Sequence, residues 1–146
     1  MPQRKPGPIR IAILGGDLLV GRSLEAALRG IGYDVRFLNG AFLDGSATDQ
    51  TARLLVEVEL IVFTPRMRAG RRRAFLDLLR ETPATAAVPV LELATTLDEV
   101  RAEQAGVGLV AWPCPTEELA RRIEAVLLIN EAYTEADGSL GDAARA

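Results

Sequence analysis

The chain has 146 residues, of which 49% are hydrophobic and 25% charged, and its formal net charge is -3. This balance fits one globular domain with its own core, and it excludes a disordered chain. The sequence has no histidine and one cysteine, Cys114, which excludes histidine bases and ligands, Cys-rich zinc sites and a disulfide within the chain.

The charge balance also argues against a general nucleic-acid or membrane-surface binder, and no apolar run reaches the roughly 20 residues of a membrane span. A cysteine-poor chain is typical of the reducing cytoplasm, where we expect this protein. Prolines predict a loose leader at 1–8, followed by one domain at 9–130. The small, polar residues at the end of the chain predict a tail at 131–146.

Five apolar runs alternate with helical patterns along the domain. Continuously apolar strands that alternate with helices indicate a parallel sheet covered on both faces. The predicted strands are Ile9–Leu14, Asp34–Leu38, Leu60–Phe63, Val88–Leu93 and Leu109–Trp112. The predicted helices are Leu18–Ile31, Ser46–Val58, 67–81, Leu97–Ala105 and a last helix that begins at Thr116.

In such a sheet the functional site lies beyond the carboxyl ends of the strands. This rule selects four loops, Gly15–Asp17, Thr64–Gly70, Ala94–Thr96 and Trp112–Pro115. We interpret Trp112 as an aromatic residue at the edge of the core, and the lone thiol between two prolines as packed or idle.

The first loop has two interpretations. Gly15 and Gly16 could let backbone N–H groups approach a phosphate, but the spacing to Gly21 does not match G-x-G-x-x-G and no P-loop is present, which favours a tight turn. Asp17 is the only carboxylate of this loop. Because Mg²⁺ needs several oxygen ligands, we predict a helix cap there and no metal site.

The third helix begins with five arginines in eight residues. Positive charge at a helix N-terminus opposes the helix dipole, so either these arginines form a solvated face or they bind an anion. No aromatic residues interleave with them to stack on bases, and no direct nucleic-acid contact is expected. The arginines are Arg66, Arg68, Arg71, Arg72 and Arg73.

Four segments in this order resemble the receiver domain of two-component response regulators: IRIAILGGDLLVGRSLEAAL, VELIVFTPRM, TAAVPVLELAT and AGVGLVAWPCPTEELARRIEAVL. The resemblance covers about Ile9 to Leu128. It implies a flavodoxin-like, doubly wound α/β fold, with a five-stranded parallel sheet in the order 2-1-3-4-5 flanked by five helices.

The resemblance also implies that the chemistry of the family is lost. The acidic pair that holds Mg²⁺ falls on Gly15 and Gly16, and the phosphorylated aspartate falls on Thr64. Phosphoryl transfer needs a nucleophile, a metal and cationic groups, so we expect a pseudo-receiver without cofactor or metal that is not phosphorylated.

The remaining functional positions of the family are also changed. The hydroxylated switch residue falls on Ala94, with Thr95 beside it, and the lysine falls on Trp112. We predict that the indole of Trp112 folds over the vacated pocket and locks one conformation.

The partner face of the family corresponds to the fourth helix, fifth strand and fifth helix, here about Leu97–Ile129. In the last helix, Val126-Leu127-Leu128-Ile129 surrounds the axis, so one or two of these side chains point away from the sheet. We predict a homodimer or a contact with a signalling protein, although the helix end could instead fold back on the domain. The expected face residues are Leu97, Val100, Val126, Leu128 and Ile129.

Two functions remain open at this point. The first is a signalling module that acts through protein–protein contacts, and the alternative is a sensor that binds an anionic small molecule or nucleotide near the arginine-rich loop. An enzyme is disfavoured because, without histidine or a second cysteine, a nucleophile–base pair could be assembled only from carboxylates, and none cluster in the sequence. Fewer than twenty residues follow the last helix, too few for a DNA-binding output domain, so the chain is either not a DNA-reading regulator or a piece of one.

Overall fold

Five parallel strands form one sheet in the order β2-β1-β3-β4-β5 in the computed structural model, which describes residues 7–39, 55, 57–95 and 107–129. The predicted topology is confirmed. The strands are β1 (Arg10–Gly15), β2 (Asp34–Asn39), β3 (Leu60–Phe63), β4 (Val90–Ala94) and β5 (Val107–Ala111). The described helices are α1 (Leu18–Ile31), α2 (Ala69–Glu81) and α3 (116–129).

The predicted and observed bounds differ most at β4 and β5. Val88 belongs to a turn, because its N–H donates to the carbonyl of Thr85, and β4 begins only after Pro89, which has no N–H for the ladder. Strand β5 begins at Val107, two residues earlier than predicted, and ends before Trp112. The helix predicted at Leu97–Ala105 lies outside the described residues.

The helix predicted at Ser46–Val58 also lies largely outside the described residues. Its described end is not helical, because Glu57 has a φ of 67° in a turn before β3. The prediction is therefore wrong at 57–58. The leader and tail predictions concern residues that, apart from 7 and 8, lie outside the described part of the chain.

Helix α1 has the predicted bounds because both of its ends carry local signals. The Asp17 carboxylate accepts a hydrogen bond from the N–H of Val20 at 3.1 Å, and Gly32 ends the helix with a φ of 117°. Leu24 and Leu28, four residues apart, are buried against the sheet. None of the described helices is long and apolar enough to cross a membrane.

The two faces of the sheet carry separate hydrophobic clusters. On one face, side chains such as Ile11 and Ile13 pack against α1 and α3, with Ile123 fully buried. On the other face, Phe63 packs against Phe75 of α2, with ring centroids 5.9 Å apart. Each fully buried aliphatic or aromatic side chain contributes about 1.5–3 kcal/mol, so both layers hold the strands in register.

Side chains cover backbone groups at both edges of the sheet. On the edge strand β2, the carbonyl of Val35 accepts hydrogen bonds from Arg29 at 2.8 and 3.0 Å, and the N–H of Phe37 donates to Glu25 at 2.9 Å. Arg122 donates to a carbonyl of β5 in the same way, at 2.8 Å. These contacts satisfy edge groups that would otherwise be available to a further strand.

Candidate functional site

The strand order places the four selected loops side by side at the carboxyl edge of the sheet. The N–H of Thr64 donates to the carbonyl of Leu14 at 2.9 Å, which joins the ends of β3 and β1. The N–H of Trp112 donates to the carbonyl of Ala94 at 2.9 Å, which joins the ends of β5 and β4. The positions that the resemblance singled out are therefore neighbours at one edge.

Gly15 and Thr64 are in unusually close contact at this edge. Gly15 has a φ of 151°, and a Cβ atom built on it would lie 1.7 Å from Oγ1 of Thr64. Thr64 is only 1% exposed, and within the described residues its hydroxyl has no hydrogen-bond partner. The threonine side chain thus fills the space that any side chain at position 15 would need.

An open cleft of about 830 Å³ lies beside this contact. It brings together the first loop and the loop between β3 and α2. Among the described residues, three of the five arginines line it, together with a single carboxylate. The lining residues are Gly16, Asp17, Thr64, Pro65, Arg66, Met67, Arg68, Gly70 and Arg71.

The other two arginines do not line the cleft. Arg72 is 6% exposed, and its Nη1 donates to Oε1 of Glu92 at 2.8 Å, in the interior between α2 and β4. Arg73 is exposed on α2. The predicted anion-binding set is therefore divided, and only Arg66, Arg68 and Arg71 meet in one place.

Glu92 is the residue that the analysis of the sequence missed. It lies in the middle of β4, in the sequence VLELA, and is 4% exposed. A carboxylate inside a strand that is buried on both faces needs a cationic partner. The acidic residue within the apolar sequence VLELA is the feature that could have indicated a buried ion pair.

Trp112 lies away from the cleft. Its half-buried side chain packs against the hydrophobic cluster beneath α1 and α3, as does Cys114. The structure thus puts the indole at the edge of the core rather than over the arginine-lined cleft. Ala94 is buried at the end of β4 and Thr95 is half-buried after it, and neither lines the cleft.

The Cys114 thiol has the chemistry of an unreactive cysteine. Burial raises the pKa of this thiol, and the negative charge of Glu118 raises it further. A thiol with a raised pKa stays protonated near neutral pH, and the thiolate is the form that attacks electrophiles.

The end of α3 exposes apolar side chains. Leu128 and Ile129 are 66% and 63% exposed, whereas Val126 and Leu127 pack against the cluster beneath α3. The expectation that one or two of these four residues point away from the sheet is confirmed. Leu97 and Val100, the other residues expected on this face, lie outside the described residues.

Searches for a matching family model and for a matching curated protein found none. Solved structures do match. A chemotaxis response regulator, CheY4 of Vibrio cholerae, is 18% identical with a TM-score of 0.65, over 82% of this chain and 98% of its own. A response regulator from Desulfuromonas acetoxidans is 23% identical with a TM-score of 0.63, over 83% of this chain and 98% of its own. A response regulator receiver domain protein from Bacillus halodurans is 19% identical with a TM-score of 0.62, over 82% and 97%.

The chain has the response-regulator receiver fold. The described residues at its carboxyl edge can be compared with what a Mg²⁺ site requires. Gly15 and Gly16 offer no side-chain oxygen, and Asp17 already caps α1. Within the ranges that the structure describes, no three His, Cys, Asp or Glu side chains form a metal-binding group. The residues of this receiver fold therefore do not fit a divalent cation.

Proposed function

We propose that this protein is a receiver-like signalling module that is not phosphorylated and acts through contacts with other protein molecules. The receiver fold supports the signalling role. The observation that carries the rest is the side chain of Thr64, which follows β3 and is packed against Gly15.

The surroundings of Thr64 argue against phosphoryl transfer. Its hydroxyl is buried, and a phosphoryl donor cannot approach a nucleophile that solvent does not reach. Among the described residues that line the cleft, Asp17 is the only carboxylate, and it accepts the hydrogen bond of the N–H of Val20. No second carboxylate in that described lining joins it to hold the divalent metal that phosphoryl transfer uses.

The test is incubation of the purified chain with acetyl phosphate and Mg²⁺, followed by mass spectrometry of the intact protein. We expect no added phosphoryl group, while a phosphorylatable response regulator treated in parallel gains one. A phosphoryl group on Thr64, or on any other residue of the chain, contradicts the proposal.

The partner that the exposed end of α3 fits best is a second copy of this chain. Leu128 and Ile129 supply apolar surface. Exposed side chains of both charges precede these two residues on the same helix, among them Glu117, Arg121 and Glu124. A two-fold axis near Leu128 and Ile129 brings the apolar ends of two copies of the helix together and leaves the charged side chains at the solvated rim of the contact.

A further inference from the structure

The sign of the charge in the cleft is opposite to what a Mg²⁺ site requires. Among the described residues that line it are three guanidinium groups, those of Arg66, Arg68 and Arg71, and one carboxylate, that of Asp17. Three positive charges against one negative charge leave this part of the cleft positive. Electrostatic attraction in a concave site of this kind concentrates anions.

The N-terminus of α2 adds to this positive charge. Arg68 is the residue at the cap position and makes no side-chain hydrogen bond to the helix, and the first turn has no acidic residue. Gly70 and Arg71 of that turn line the cleft. The first N–H groups of an α-helix have no partner within the helix, and together with the helix dipole they favour a bound anion.

These charges are unfavourable for the isolated fold. Arginines at a helix N-terminus oppose the dipole, and they repel one another when their positions are only two or three residues apart. Two of these arginines, Arg66 and Arg71, already interact with other groups of the chain. A bound anion would replace those interactions with stronger, charge-assisted hydrogen bonds. A ligand with several negative charges offsets the positive charge of these guanidinium groups.

We propose that this cleft binds a small anion that carries phosphoryl groups. Arg68 and Arg71 donate charge-assisted hydrogen bonds to it, with the N–H groups of the first turn of α2 beside them, and Arg66 adds positive charge from the loop. A volume of about 830 Å³ lies within the range of small-molecule sites, so a phosphorylated metabolite or a nucleotide fits as well as free phosphate. This inference is independent of the absence of phosphorylation and of the contact through α3.

The experiment is isothermal titration calorimetry of the purified full chain at a constant ionic strength of about 0.15 M, without Mg²⁺. The probes are orthophosphate, pyrophosphate and a nucleoside 5′-diphosphate. We expect saturable binding with pyrophosphate tighter than orthophosphate. A nucleoside diphosphate that binds more tightly than pyrophosphate identifies a nucleotide as the ligand class, and equal or weaker binding identifies a phosphate group without a base.

Substitutions of single exposed arginines distinguish binding at a defined site from general electrostatic attraction of the anion to the arginine-rich helix. We expect Arg68→Gln and Arg71→Gln each to weaken pyrophosphate binding about tenfold, since each removes a charge-assisted hydrogen bond. Arg73→Gln is the matched control, because Arg73 is an exposed arginine of the same helix outside the cleft, and its effect should stay within about twofold. Urea unfolding of each variant confirms that it is folded. Absence of saturable binding, or equal losses in all three variants, overturns the proposal.

Discussion

Two residues, Gly15 and Thr64, decide what the carboxyl edge of this receiver fold can hold. Gly15 has a backbone conformation that side chains disfavour, and Oγ1 of Thr64 lies where its Cβ would be. The absence of a side chain at position 15 is thus coupled to the residue that follows β3. A carboxylate placed at position 15 alone would not create a metal site, because Thr64 occupies its space.

Gly15→Ala should therefore destabilise the protein strongly. Backbone strain at a φ of 151° and overpacking against Thr64 together predict a loss of about 2–5 kcal/mol in the free energy of unfolding. Gly16→Ala is the control, because a Cβ at position 16 meets nothing within 4 Å, and it should change the stability by less than about 1 kcal/mol. Urea unfolding followed by circular dichroism measures both. Equal stabilities of the two variants would show that the loop relaxes and that the contact is not restrictive.

Between elements, the ion pair of Arg72 and Glu92 connects α2 to the centre of the sheet. The two side chains are 7% and 5% exposed, and they are surrounded by the hydrophobic layer that contains Phe63 and Phe75. One of the five clustered arginines thus has a structural role in the interior. The remaining members of the cluster keep the start of the helix positively charged at the cleft.

Breaking this pair should cost far more than breaking an exposed one. Arg72→Met removes the guanidinium that pairs with the buried carboxylate of Glu92, with an expected loss of about 3–5 kcal/mol in the free energy of unfolding. The double variant Arg72→Met/Glu92→Met should recover most of that loss, because two apolar side chains of similar length fit the same layer.

The control for the buried pair is the ion pair of Arg22 and Glu25, whose side chains are 66% and 12% exposed, with a distance of 3.3 Å between Nη1 and Oε1. Arg22→Met should cost about 1 kcal/mol or less. Chemical denaturation measures the free energy of unfolding of the unchanged protein, Arg72→Met, the double variant and Arg22→Met. If the double variant loses as much stability as Arg72→Met alone, the pair contributes net stability to the fold and does not merely neutralise a buried charge.

For the whole molecule, the sequence predicts the sheet better than it predicts the site. The strand order and the bounds of α1 follow from continuous apolar runs and from cap signals at Asp17 and Gly32, which are local chemistry. The meeting of the four loops follows from parallel topology alone. The contact of Gly15 with Thr64 joins residues 49 positions apart, and no local pattern encodes it. The sequence shows Glu92, the partner of Arg72, only as a carboxylate within an apolar strand, and it does not show which cation pairs with it.

The assembly of the molecule gives the last prediction. Leu128→Ser/Ile129→Ser removes the exposed apolar surface at the end of α3, and each of these side chains, when buried in a dimer, contributes about 1.5–3 kcal/mol. We therefore expect the double variant to weaken self-association at least tenfold, or about 1.4 kcal/mol, as measured by sedimentation velocity from micromolar to near-millimolar concentration.

Leu19→Ser is the control for this variant, because Leu19 is 79% exposed at the start of α1, and it should leave self-association unchanged. Acetyl phosphate with Mg²⁺ should leave self-association unchanged too, since under the proposed function the chain is not phosphorylated. A chain that is monomeric at every concentration contradicts the second copy as the partner. A dimer that responds to acetyl phosphate contradicts independence from phosphorylation, so the two parts of the proposed function can fail separately.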